Sequence, residues 1–443
     1  MRVFGCGSST AEGAAGSGTA DGSGCHVCAG IGRQETPGMR VLLISHTCQS
    51  RHEGQPKAEC LAAYPDVDLM VLAPERFNHF GAWREAERPR SGSFKFESHR
   101  VALPWVGPAQ NYLHWYPRLG RVLRDFKPDI IDLWQEPWAA VSAHCCWLRN
   151  RMLPRAKIVM ESEQNLLKRF PPPFRWFERY TIRNADCAVG RSSGVLEVLQ
   201  AKGFTGEAHR VGNAVDASLF KPMDRERCRR ELGLGGFVAG YVGRLVERKG
   251  LADLVNALPH CPQHVNLLFA GEGECRSAIE TRANVLGIGN RVRFLGPRRP
   301  EELPQVMNAL DALVLPSWSV PTWTEQFGRV IIEAQACETP VIGSDSGAIP
   351  EVVGSGGLIF KERDVRSLAS AITRCAANAH WMRELGRAGR QQVLKNFTWR
   401  KVAAQMHGIY RSCLNTSTST GMGASRGNPA ACDDRRIPQH ANP

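Results

Sequence analysis

Short apolar runs alternate with longer amphipathic stretches along most of this chain, and that alternation restricts it to one broad architecture. A first series of apolar runs falls at 39–46, 67–73, 129–134, 157–161, 186–190 and 209–212. A second falls at 237–243, 265–271, 291–296, 311–317 and 340–343. Helical patterns separate them, among them YLHWYPRLGRVLRDF and SSGVLEVLQAKG in the first series. In the second they lie near 249–258, 274–287, 300–309 and 327–337. Strand–helix alternation gives parallel sheets covered by helices on both faces. Two such series predict two Rossmann-like α/β domains, at 39–212 and 213–395, with the break in the turn-rich stretch NAVDASLFKP. A last helical pattern, 396–414, follows completion of both sheets and is predicted to cross back to the first domain.

The ends read differently. Residues 1–38 are mostly Gly, Ser, Ala and Thr, and 415–443 are polar, so both are expected to be disordered tails. Ordered sequence begins at Met39, which suggests that residue as an alternative start. The 443 residues include 15 cysteines without a recurring pair spacing, and Cys25 and Cys28 fall in the first tail. These cysteines are read as reduced, in a cytosolic protein. No apolar run is long enough to span a bilayer.

The net charge of +13 resides in the middle of the chain and suits an anionic partner: a phosphorylated substrate, a lipid head group or nucleic acid. Nucleic acid is disfavoured, because basic tracts and zinc-finger spacing are absent. The aromatic, basic stretch RFPPPFRWFERY has a composition that suits an anionic membrane interface, and packing at a domain edge is the alternative.

Chemistry concentrates in 311–354. A strand ends before a loop carrying Glu325, and a helix then starts near Phe327–Gly328 and runs through Glu333. Free N–H groups at a helix start attract phosphate, and Gly328 permits close approach to the backbone. Glu325 would reach sugar hydroxyls on one side of the phosphates and Glu333 ribose hydroxyls on the other. In GYVGRLVERKGL, Gly243 ends a strand; Arg244 and Lys249 follow as cations able to hold a diphosphate and stabilise a leaving group. Such cations repel one another in an empty site, so removing either should cost little stability. Gly271 and Gly273 of FAGEGE form a Gly-x-Gly turn, a weak nucleotide signal, and no dinucleotide fingerprint follows any strand. In the first domain, His46 ends the opening strand, and Asp132 and Glu136 sit at a strand's C-terminal end, where open α/β sheets bind ligands.

Together these segments resemble the family-4 retaining glycosyltransferases of the GT-B fold. The resemblance rests on Asn213, Val215, Asp216 and Phe220, on GRLVERKG and AGEGE, on EQFGRVIIE and on GSDSGAIPEVV. It implies that the second domain binds a nucleotide diphosphate sugar and the first a glycan or lipid-linked acceptor. Arg244 and Lys249 would hold the diphosphate, Glu325 the donor sugar, the amides near Phe327–Arg329 sugar and phosphate, and Glu333 the ribose. Two departures fall on the acceptor side. Where many members carry a histidine, this chain has Glu161, Glu163, Gln164 and Asn165; where a double glycine is expected, only Gly54 is present. No metal and no cofactor are expected, because a DxD-type element is lacking and cations take the metal's role. A non-catalytic nucleotide-sugar or glycan binder and a sugar-nucleotide epimerase of similar fold are the alternatives.

Overall fold

The computed structural model describes residues 38–79, 82–103 and 109–415. The terminal tails up to residue 37 and from 416, with Cys25 and Cys28, lie outside the described residues. The first half contains β1 (Met39–Ile44), β2 (Val67–Pro74), β3 (Arg76–His79), β4 (Ala82–Glu85), β5 (Lys95–His99), β6 (Ile130–Leu133), β7 (Lys157–Ser162), β8 (Cys187–Gly190) and β9 (Glu207–Arg210). Seven of these form a parallel sheet in the order β5-β2-β1-β6-β7-β8-β9, and β3 and β4 form a separate hairpin. The second half contains β10 (Phe237–Val242), β11 (Val265–Ala270), β12 (Val292–Gly296), β13 (Ala312–Leu315), β14 (Val341–Ser344) and β15 (Gly357–Phe360). They form a six-stranded parallel sheet in the order β12-β11-β10-β13-β14-β15. In both sheets the order reverses beside the first strand, which opens a crevice at the strands' C-terminal ends.

Inner strands are buried on both faces, as continuous apolar runs such as FVAGYV and CAVG require. Two strands and the hairpin differ from the sequence reading. KFESH of β5 is mostly polar edge strand, GLIF of β15 is short and glycine-led, and RFNH with AWRE pair only with each other. The helical pattern over 112–126 is cut in two, Gln110–Leu113 and Leu119–Phe126, on either side of Pro117.

After the second sheet the chain bonds Val215 N–H to the carbonyl of Phe397 at 2.8 Å and then enters the helix Trp399–Asn415. That helix buries Val402, Ala403, Met406, Ile409 and Tyr410 in the same core as Val41, Leu43 and Val71 of the first sheet. A buried charge cluster adds a polar tie. Lys57 bonds Asp132 at 2.9 Å and also Glu161; Arg191 bonds the other oxygen of Glu161; Tyr410 donates to Asp132 at 2.6 Å. Burial pushes both carboxyls up. At Glu161 the charges of Arg191 and Lys57 outweigh it and hold the group below its usual range, while Asp132, facing the charge of Glu161, stays above its own.

Candidate active site

The loop after β10 makes a 3-10 turn, Glu247–Lys249, closed by Gly250, and packs against the end of β13. Trp318 N–H donates to the Arg248 carbonyl at 2.9 Å, fixing the two loops together. Lys249 is thereby aimed at Glu325, with Nζ 2.6 Å from Oε2. Ser317 Oγ donates to the same oxygen at 2.8 Å. The Lys249 ammonium also lies 4.9 Å from the Trp323 ring centre. A hydroxyl network among Ser319, Thr324 and Ser346, at 3.0–3.3 Å, braces the loop that carries Glu325. The Glu325 carbonyl accepts Ala348 N–H at 2.9 Å and, from the other domain, Asn165 Nδ2 at 2.8 Å. This pairing corrects the expectation of mutually repelling cations: the Lys249 charge is balanced by the Glu325 carboxylate.

Arg244 is exposed, on a loop held by Tyr241 Oη donating to its carbonyl at 2.8 Å. Gly243 and Gly271 sit at adjacent strand ends. A Cβ on Gly271, where φ is +148°, would lie 1.9 Å from the Gly243 carbonyl oxygen, and one on Gly273 2.3 Å from that of Leu245. The glycines of FAGEGE therefore let the β10 and β11 loops run side by side.

Gly328 caps the helix Arg329–Ala336 in the left-handed region, at φ +78°. The Phe327 side chain is buried, edge-on to Phe397 at 5.7 Å, and its ring closes over Gly212. Arg329 and Glu333 line a cavity of about 1140 Å³ between the domains, with His46, Arg51 and Glu53 opposite. Burial raises the Glu333 carboxyl above its usual range against the opposing charge of Arg329. Glu325, Arg244 and Lys249 do not line that cavity.

In the first domain, His46 bonds Gln135 through Nδ1 at 3.0 Å and stacks on Phe77 at 5.0 Å, and burial lowers its basicity. Gly54 packs where a Cβ would meet the Thr47–Cys48 backbone at 2.5 Å, so a glycine is needed there on steric grounds. Glu136 accepts Ser162 Oγ and Glu163 N–H, both at 2.8 Å, and is pushed by burial up to about 7. It staples the turn from which Asn165 reaches Glu325, while the Glu163 carboxylate stands 3.6 Å from Arg191. Asp132 corrects the reading outright: its side chain is fully buried in the charge cluster and lines no cleft.

Sequence reasoning missed two parts of the cavity wall: Arg84–Arg90, from the unforeseen hairpin, and Arg299–Leu303, after β12. His52 and Glu301 face each other across it at 3.4 Å. Only the charge density of RRPEE signals the second segment. Among the described residues no group of three or more His, Cys, Asp or Glu is placed to hold a metal ion.

Two parallel sheets, a cleft at their C-terminal ends and a helix returning to the first domain define the GT-B architecture. The solved structure of sucrose-phosphate synthase from Thermosynechococcus elongatus has this fold, at a TM-score of 0.68 and 24% identity over 85% of this chain and 100% of that one. Anabaena HepE, solved with UDP and glucose, matches at a TM-score of 0.62 and 21% identity, over 84% of this chain and 100% of its own. The group 1 glycosyl transferase model matches residues 224–392 and the Glycosyltransferase Family 4 model residues 60–219. D-inositol 3-phosphate glycosyltransferase from Corynebacterium jeikeium is 32% identical over 63% of this chain and 67% of its own length. This chain belongs to the group 1, family-4 glycosyltransferases.

Proposed function

We propose that the chain is a retaining transferase that moves a sugar from a nucleotide diphosphate donor to a glycan or lipid-linked acceptor, in polysaccharide or cell-envelope glycan synthesis. The observation that carries this reading is the Lys249–Glu325 pair, which sets a cation and a carboxylate 2.6 Å apart beside a glycine-capped helix start. Lys249 and Arg244 take the diphosphate, Glu325 the adjacent sugar and Glu333 the ribose. As the bond from the anomeric carbon to the phosphate oxygen breaks, negative charge grows on the diphosphate, where preplaced cations stabilise it. The acceptor oxygen bonds the same face of that carbon and passes its proton to the departing phosphate. No metal is required in this scheme.

The HepE structure, which holds UDP and glucose, supports a nucleotide-sugar donor. Free cysteines, among them Cys48, Cys145 and Cys187, support a cytosolic site of action. No helix among the described residues is long and apolar enough to cross a membrane. The test is a screen of UDP-, GDP- and ADP-sugars by thermal shift, followed by turnover with each donor that binds. Nucleoside diphosphate release supports a transferase, a sugar epimer without free nucleotide supports an epimerase, and binding without turnover supports a binding protein.

A further inference from the structure

The segment 166–183 carries features that the transfer chemistry does not use. It begins beside the cleft: Asn165 donates to the Glu325 carbonyl, and Leu167, two residues on, has 64% of its surface exposed. The stretch 170–184, which includes the helix Phe174–Asn184, then divides its aromatic residues. Phe170 and Phe174 turn inward onto Tyr112 and Trp138, at 5.1–6.5 Å. Trp176 turns outward and is 60% exposed. Glu178, Thr181 and Ile182 are buried, which leaves the opposite face of the helix to Arg175, Trp176, Arg179 and Arg183. Arg169 is exposed just upstream. None of these four arginine side chains is in an ion pair among the described residues, and the segment's sole acidic residue, Glu178, is taken by Lys202. An exposed Trp and Leu set among unpaired arginines combine an interfacial aromatic anchor with a positive field.

We propose that this face docks the protein on an anionic lipid surface, with Trp176 and Leu167 entering the head-group layer and Arg169, Arg175, Arg179 and Arg183 meeting lipid phosphates. Charge complementarity selects the partner: four cations outside any ion pair among the described residues match a surface of negative head groups. Two exposed apolar side chains alone are too few to hold the chain on a neutral bilayer. The docking brings the cleft next to the membrane plane and is read without turnover, so it stands or falls apart from the transfer reaction.

The experiment is co-sedimentation of the full chain with vesicles of phosphatidylcholine alone or mixed with phosphatidylglycerol, at roughly 0.1 M salt. Wild type should sediment with the mixed vesicles, not the neutral ones, and should be released by raised salt. R175E/R179E and L167S/W176S should each lower partition at least about tenfold. R230E/R366E, the same charge change at exposed arginines of the donor domain, should not. Circular dichroism and thermal melts establish that each variant is folded. Failure of wild type to bind mixed vesicles, equal loss in the control pair, or retention by both patch variants would overturn the proposal. So would binding to heparin that the patch variants lose without any vesicle binding, which would mark a soluble polyanion as the partner.

Discussion

Separating Lys249 from Glu325 should destabilise the empty protein as well as silence it. The two groups are 2.6 Å apart, with side chains 20% and 9% exposed. Removing one partner of a fully buried pair costs about 3–5 kcal/mol, whereas exposed pairs are worth about 0–1 kcal/mol. Partial exposure of Lys249 and the remaining Ser317 and Trp323 contacts place each single alanine variant between these limits, at about 1–3 kcal/mol. The double variant removes both charges together, so its cost should fall short of the sum by about 1–2 kcal/mol. The assay is a double-mutant cycle by denaturant unfolding of wild type, Lys249→Ala, Glu325→Ala and the double variant, without ligand. Additivity within about 0.5 kcal/mol would refute the pair in solution. The same single variants should lose about 10²–10³ in turnover, with Glu325→Ala weakening donor binding less than catalysis.

Arg244→Ala should lower turnover by about 10²–10³ in initial-rate measurements, and Arg244→Lys should restore little, because a point charge lacks the planar fork of donors. Glu333→Ala should weaken nucleoside diphosphate binding about ten- to a hundredfold by calorimetry, with a smaller effect on the rate at saturating donor. Tyr410→Phe removes the 2.6 Å bond to Asp132 and should cost about 1–3 kcal/mol, read as faster hydrogen exchange along Trp399–Asn415. The Glu136 carboxyl is raised in the folded state from 4.5 to about 7, so its contribution to stability is full below 4.5 and is lost as pH rises through about 7. Glu136→Gln cannot ionise there, and its melting temperature relative to wild type should climb by about 2–4 °C across that window.

The parallel-sheet architecture was legible because fully buried strands have to be apolar throughout, and β10 and β8 are unbroken apolar runs. Strand β5, KFESH, was not: at a sheet edge, one row of backbone groups and most side chains face water, and no apolar pattern is imposed. At the site, the helix start at Gly328 and the flanking glutamates could be placed by spacing alone. The pairing of Lys249 with Glu325 could not, because it joins loops 76 residues apart through the packing of Gly250 on Pro316. Asp132 shows the opposite limit. A carboxylate at a strand's C-terminal end looks the same in sequence whether it faces a ligand or, as here, a buried lysine and a tyrosine from the last helix.

The most direct measurement follows the fate of the donor with water as acceptor, by NMR, with and without EDTA. Wild type should release nucleoside diphosphate and free sugar whose anomeric configuration, observed before mutarotation, matches that of the donor. EDTA should leave the rate unchanged, and Lys249→Ala should reduce it about 10²–10³-fold. A sugar of inverted configuration, a rate abolished by EDTA, or full activity in the Lys249 variant would contradict retaining, metal-independent transfer at this site.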